Sequence, residues 1–199
     1  MPDLAEALLM GSAFEQLLQG NATAYKIGRK FGALFGQFGS VTVADAKKVR
    51  AGIKIDQSTP ERAAAQPTWW VHRKWMEELY DVRSQVVHEG SAANRTWGWT
   101  LFEHLVIAAH VFPLTIKLLL QRERHYALTD DDRVGCLAVD KLLAAPVWSK
   151  ERGASRNDRS SPQTWSEIIW RTKTEEAFDR AIAESLHPGA ERNSDEPLS

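Results

Sequence analysis

The sequence predicts an all-α protein, built as an antiparallel bundle of four to five helices with a C-terminal helical appendage. Hydrophobic residues recur every three or four positions over most of the 199-residue chain, which is the spacing of one helix face. They make up 43% of the chain, enough for a sizeable core. Glycine or proline follows several of the periodic segments, as expected where helices end.

The first helix is predicted over residues 4–19, and the second from a cap at Asn21 or Thr23 to about Phe38. Asp3 and Glu6 have the spacing of a capping box, and Gly20 follows the first apolar stripe. Because the link between these helices is only a few residues long, we expect them to form an antiparallel hairpin. The second helix also carries glycines every four residues, which we attribute to the close approach of another backbone. These glycines are Gly28, Gly32 and Gly36.

The middle of the chain changes character at Thr68. Before it, residues 41–55 allow a short helix or irregular structure, and residues 57–66 are predicted to form a loop. Thr68 itself is predicted to cap a helix. Apolar residues, including Trp75, then recur at helical spacing until Gly90.

The longest helix is predicted from Thr96 or Thr100 to about Tyr126, with Pro113 bending it or beginning its second half. A further helix is predicted over 129–145. The chain then divides into a helical bundle over 1–148, a polar linker over 149–162, a C-terminal helix over 163–187 and a disordered tail over 188–199.

Composition narrows the class of protein. The net charge is −1, so charge alone does not indicate a nucleic-acid partner. The single cysteine, Cys136, excludes an internal disulfide and a multi-cysteine zinc site, and it fits a reducing cytoplasm. We expect neither a signal peptide nor a membrane span. Charged residues and histidines interrupt the most apolar segment, Leu101–Leu120, which is predicted to be a core helix.

Segment 79–90 holds the residues best suited to chemistry. It places His88 five positions after Arg83, with Ser84 beside the arginine. On a helix this spacing leaves the two side chains about 140° apart. They converge only if the arginine reaches along the helix or the last turn loosens. The alternative is structural: His88 caps the helix end, and Arg83 forms an ion pair with an acid such as Glu15.

Other charged and aromatic residues flank this segment. Arg73, Lys74 and Arg95 could join Arg83 in a basic patch that contacts RNA, or they could form a solvated helix face. Three aspartates after Thr129 could bind a divalent ion, but ordinary helix capping is favoured. Nearby tryptophans could stack on unpaired bases or belong to the core. They are Trp69, Trp70, Trp97 and Trp99.

The run Leu-Tyr-x-x-Arg-Ser-x-x-x-His at 79–88 resembles the signature helix of the HEPN superfamily, and is most similar to its Apea-like branch. Segment Ser12–Leu18 also resembles the early acidic helix of that branch. The helical layout of residues 1 to about 145 agrees with the family as well, so the resemblance covers about three quarters of the chain. Two departures are present. Glu89 separates His88 from Gly90, where glycine often follows the histidine directly, and the C-terminal quarter does not resemble the family.

This resemblance implies a cytoplasmic, metal-independent endoribonuclease that cleaves RNA to 2′,3′-cyclic phosphate and 5′-hydroxyl ends. Such proteins serve bacterial phage defence, abortive infection or stress response. The resemblance assigns catalysis to Arg83 and His88, support to Ser84 and Glu15, and no role to a metal or cofactor. It also implies a homodimer in which two signature helices face each other, and it allows an antitoxin or other regulatory partner.

Two other interpretations stay open. One is a non-catalytic HEPN module that binds RNA or mediates protein interaction. The other is an unrelated helical bundle in which the Arg-x4-His spacing is coincidental. Access of Arg83 and His88 to one cleft favours the enzyme, whereas burial against acids within one subunit favours the binding module. A bundle in which residues 4–19 do not pack on 70–88 favours coincidence.

Overall fold

The computed structural model describes residues 2–18, 23–89, 98–145 and 162–186. Within these ranges the regular elements are eight α-helices, with two short 3₁₀ turns and one isolated β-bridge. The helices are α1 (Pro2–Leu17), α2 (Ala24–Phe35), α3 (Val43–Val49), α4 (Pro60–Ala65), α5 (Val71–Glu89), α6 (Leu101–Arg122), α7 (Asp130–Ala144) and α8 (Pro162–Leu186). The predicted all-α fold is therefore confirmed.

Helix α5 is the centre of the bundle, and both N-terminal helices pack on it. The contacts pair Gly11 with Arg83 and Phe14 with Trp75 for α1, and Gly28 with Glu77 and Gly32 with Arg73 for α2. Residue numbers rise along α1 and α2 while they fall along α5, so both helices run opposite to α5. The predicted hairpin of the first two helices is wrong. Helix α5 has 19 residues and is about 28 Å long, so it is long enough for both helices to pack along it.

Close packing explains two of the three glycines in α2. A Cβ added at Gly28 would lie 2.3 Å from Cγ of Glu77, and one at Gly32 would lie 3.0 Å from Cβ of Arg73. Both glycines therefore let α2 approach α5 closely, as predicted. Gly36 differs, because an added Cβ there meets nothing within 4 Å.

Helices α6 and α7 form an antiparallel pair on the other side of the core. Lys117 contacts Asp132 near one end, and indole Nε1 of Trp99 donates to the Leu143 carbonyl at the other. Helix α6 continues through Pro113. It ends at Arg122, earlier than predicted, because the backbone turns left-handed at Arg124 (φ 62°). There the His125 amide donates to the Leu120 carbonyl, which is the bond of a Schellman stop.

Two predictions for the middle of the chain are wrong. The expected loop over 57–66 contains helix α4, which Thr59 caps and Pro60 begins. Thr68 does not cap α5. It lies in a 3₁₀ turn, where its hydroxyl donates a hydrogen bond to the Ala65 carbonyl. Helix α5 begins three residues later, at Val71.

Helix α8 packs on α7 and runs in the same direction. Lys173 pairs with Asp131 at 2.6 Å, and Lys141 pairs with Glu176 at 2.6 Å and with Asp179 at 2.7 Å. The predicted linker over 149–162, except Pro162, and the predicted disordered tail over 188–199 lie outside the described residues. The C-terminal helix is thus an appendage on α7.

Helix α6 contributes much of the core. Among the residues that the structure describes, it is also the one helix long and apolar enough to span a membrane, by length and composition alone. The sequence predicts this segment to be a core helix rather than a membrane span. Helix α6 buries Glu103 and His104 and packs against α1 and α7, as a core helix does.

Candidate functional site

Arg83 lies in a polar cluster between α1 and α5. Its Nη2 is 2.9 Å from Oε2 of Glu15, and the Tyr80 hydroxyl donates to Oε1 of the same carboxylate at 3.0 Å. Gly11 makes room for the arginine, because an added Cβ would lie 2.8 Å from Cβ of Arg83. The side chain of Arg83 stays 25% exposed. The cluster therefore holds a guanidinium in a defined position at the surface.

Tyr80 is a member of this cluster to which sequence reasoning assigned no role. Arg83 lies over its ring at 5.2 Å and donates to its hydroxyl at 3.4 Å. Burial raises the pKa of Tyr80, and its hydrogen bond to Glu15 raises that pKa further. The spacing of three residues before Arg83 was the available signal, since such neighbours share a helix face.

Ser12 and Ser84, the two serines of the predicted motifs, lie on different helices. Ser12 on α1 accepts a long hydrogen bond from Nε of Arg83, at 3.5 Å. Ser84 is half-buried on α5 next to Arg83. Arg83 thus contacts both Ser12 and Glu15 on α1. The supporting roles of Ser84 and Glu15 in catalysis stay predictions.

His88 is exposed in the last turn of α5, where a basic side chain suits the helix dipole. The helix is regular up to Glu89, so the last turn does not loosen. His88 thus lies about 140° around the axis and about 7.5 Å along it from Arg83. The structure brings together Arg83, Glu15 and Tyr80, but it does not bring His88 to them.

Two of the three predicted RNA-contact residues, Arg73 and Lys74, lie in the first turn of α5. Arg73 lies over Trp69, with its guanidinium carbon 3.3 Å from the ring centroid. Lys74 is half-buried, and its charge acts on Glu77 and Asp56. Arg95 lies outside the described residues. A continuous basic patch with Arg83 is therefore not formed by Arg73 and Lys74, which lie more than two turns away along α5.

Of the four tryptophans, the three that the structure describes differ in burial. Trp99 is fully buried, and its amide donates to Glu78 while its indole donates to Leu143, so it belongs to the core. Trp70 is 38% exposed, and Trp69 is half-buried beside it. Trp97 lies outside the described residues.

The aspartates after Thr129 cap α7. Thr129 and Asp132 form a capping box, as the preferred interpretation predicted. Burial works against the charge of Asp132, but hydrogen bonds from Lys117, Tyr126 and Thr129 outweigh it and hold its pKa well below the usual range. No group of three or more potential metal ligands occurs in the described part of the chain.

Buried ion pairs are the polar feature that the sequence did not reveal. Arg50 and Glu103 pair at 2.7 Å with side chains 0% and 2% exposed. His72 contacts Asp140 at 2.7 Å, and Asp140 also accepts from the backbone amides of Ser40 and Val41. These contacts join helices within the core, so we assign them to structure.

No known protein family, curated protein or solved structure matches this chain. The fold and the site geometry define the class of protein: it is an all-α protein with a cluster of arginine, glutamate and tyrosine at its surface. That cluster lies near the C-terminal end of the central helix, one and a half turns before an exposed histidine.

Proposed function

We propose that this protein is a metal-independent endoribonuclease of the HEPN type, acting in the cytoplasm in bacterial defence or stress response. The observation that carries the proposal is the Arg83 guanidinium, held by Glu15 and Tyr80 yet 25% exposed, on the same helix as exposed His88. The packing of α1 against α5 supports the same interpretation, because coincidental spacing would not require it.

The residue types suit cleavage by transfer to a neighbouring hydroxyl. The ribose 2′ oxygen bonds to phosphorus while the bond from phosphorus to the 5′ oxygen breaks. An imidazole takes the proton of the 2′-hydroxyl, and a second one donates a proton to the leaving 5′ oxygen. Arg83 holds the non-bridging phosphate oxygens and stabilises the charge that develops on them.

A homodimer supplies the second imidazole. Within one subunit His88 lies away from Arg83, so a two-fold axis near the end of α5 is needed to combine both residues in one cleft. Exposed apolar side chains on α1 and α5 favour such a contact: Leu9 is 68% exposed and Val87 is 53% exposed. An antitoxin or other regulatory partner remains part of the proposal, with no residue assigned to it.

One observation favours a second candidate, a non-catalytic HEPN module that binds RNA or another protein. Arg83 is already paired with Glu15 inside the subunit. A guanidinium that keeps this partner positions α1 on α5 and leaves His88 as a helix cap. The two candidates differ in whether RNA is cut.

Incubation of purified protein with mixed single-stranded RNA in EDTA tests the proposal. Wild type should produce fragments with 2′,3′-cyclic phosphate ends, identified by their resistance to phosphatase until acid treatment. Substitution His88→Ala or Arg83→Ala should each lower the rate by about a hundredfold or more, since each removes a group that acts in the transition state.

Matched controls separate chemistry from charge and folding. His125→Ala and Arg122→Ala remove the same side-chain types at exposed positions at the end of α6, and both should cut at the wild-type rate. Equal cleavage by wild type and both site variants would reject the proposed mechanism. Absence of cleavage in all proteins, with RNA binding retained, would establish the non-catalytic candidate.

A further inference from the structure

A second polar and aromatic surface lies at the opposite end of α5 from His88. Residues from α2, α5 and the turn before α5 line a groove of about 330 Å³ there. We call it the Trp70 groove, and its polar and aromatic lining consists of Arg29, Thr68, Trp69, Trp70 and Arg73. Among the described residues, no carboxylate lines it. Of its two arginines, Arg29 is exposed, whereas the side chain of Arg73 is 17% exposed and its Nε lies 3.8 Å from Oε1 of Glu77.

The aromatic wall of the groove is rigid. Antiparallel backbone bonds run from the Val43 amide to Trp69 and from the Val71 amide to Val41. They fix the backbone of the tryptophan pair. A Cβ added at Gly39 would lie 2.5 Å from the ring carbons of Trp70, so one face of this indole rests on the Gly39 backbone. Trp70 is nevertheless 38% exposed, which leaves a positioned ring open to a ligand.

The cationic side of the groove comes from two helices. Arg73 stacks on Trp69 and is held close to α2 by Gly32. Arg29, one turn earlier on α2, is exposed. Guanidinium groups bind phosphate through paired hydrogen bonds, and indole rings stack on unpaired bases. A positive groove with a flat aromatic wall therefore fits a ligand that combines a planar ring with a phosphate.

We propose that the Trp70 groove binds an unpaired nucleotide, with its base against Trp70 and its phosphate on Arg29 and Arg73. The inference rests on the proposed function, because it names single-stranded RNA as the substrate class. Arg73 and Arg83 are ten residues apart on α5, or about 15 Å along the axis. A few nucleotides span that distance, so one strand can occupy the groove and reach the Arg83 cluster.

Binding measurements test this separately from cleavage. The probe is a short fluorescein-labelled oligouridylate, and its binding is measured by fluorescence polarisation in EDTA. Every protein tested carries His88→Ala. Trp70→Leu should weaken binding about tenfold, through loss of base stacking. Arg29→Ala should also weaken binding, and should lower the slope of log affinity against log salt by about 0.7, the amount expected for one phosphate contact to a single strand.

The control is Arg122→Ala, which removes an equal charge from an exposed position at the end of α6 and should bind like the parent. Melting curves establish that each variant is folded, and Arg29→Ala keeps the test valid if Trp70→Leu is unstable. Uridine monophosphate forms a further arm. If uridine monophosphate displaces the labelled strand at concentrations similar to those of the unlabelled strand, the ligand is a free nucleotide. If only the unlabelled strand displaces the probe, the ligand is RNA.

Unchanged affinity in both Trp70→Leu and Arg29→Ala overturns the inference, whatever the cleavage assay gives. Weakened binding in both variants, without cleavage by wild type, supports the groove and rejects the nuclease. Cleavage by wild type, with unchanged RNA binding in both variants, supports the nuclease and rejects the groove as a nucleotide site.

Discussion

Folding changes the charge that Glu77 carries near neutral pH. It lies on α5 with its side chain 3% exposed, and Arg62 Nη2 lies 3.3 Å from its Oε2. Burial raises the pKa of this carboxyl to about 7, although Lys74, Arg62 and Arg73 act in the opposite direction. Its ordinary pKa is 4.5, so the folded protein binds a proton more tightly here than the unfolded chain does.

This difference predicts a pH dependence of stability. Between about pH 4.5 and pH 7 the folded state holds more protons at Glu77, so the free energy of unfolding falls as the pH rises through this range. The full loss is present above pH 7 and is about 3 kcal/mol at most. Urea denaturation of Glu77→Gln at a series of pH values should show a flatter profile than wild type.

Glu61→Gln is the matched control for this experiment. Glu61 is exposed in the first turn of α4, so its replacement should leave the pH profile of wild type unchanged. A Glu77→Gln profile as steep as that of wild type would show that Glu77 ionises normally in the folded protein.

At the scale of the element, the contact between α2 and α5 depends on the absence of a side chain. Gly28 faces Glu77 and the Arg73 carbonyl, which is 3.0 Å from an added Cβ. The carbonyl belongs to a helix backbone and cannot rotate away. Helix propensity alone favours alanine over glycine by about 1 kcal/mol, so packing and propensity make opposite predictions at this position.

Gly28→Ala should lower the free energy of unfolding by about 1–3 kcal/mol, because the close approach of α2 and α5 must open. Gly36→Ala is the control, since nothing lies within 4 Å of its added Cβ, and it should be neutral or stabilising. Both values come from urea denaturation at one pH. Equal effects of the two substitutions would mean that α2 tolerates a shift away from α5.

At the scale of the whole molecule, the proposed nuclease needs two copies of the chain. Leu9 and Val87 are exposed on the helices that carry the Arg83 cluster, and a glutamate at the centre of such a contact would be buried without a partner. Wild type should therefore have twice the mass of one chain by light scattering at micromolar concentration. Val87→Glu should have the mass of one chain and little nuclease activity.

Val49→Glu makes the same change on α3, at a residue equally exposed at 53%, and should remain a dimer. A monomeric wild type would contradict the predicted homodimer and, with it, the two-imidazole mechanism. The binding inference for the Trp70 groove would survive that result, because its residues come from one chain.

The sequence by itself determined the all-α class, the position of most long helices and the cap at α7. Local periodicity and capping residues act within a few positions of one another, so Thr129 shows its role without tertiary context. For α6 the sequence offered Thr96 or Thr100, and the structure shows that Thr100 is the cap. Glu15, in segment 12–18, was also a candidate partner of Arg83, but sequence reasoning assigned no role to the third member of that cluster, Tyr80.

Only the tertiary structure decided which surfaces meet. An apolar stripe shows that a helix face is covered but not what covers it. The short link between the first two helices predicted that they pair with each other, whereas both pack on α5. For the same reason Trp99 and Trp70 look alike in sequence, although one is in the core and the other is exposed. Arg29 joins Arg73 and Trp70 through contacts between residues far apart in the chain, and such contacts form only when the bundle folds.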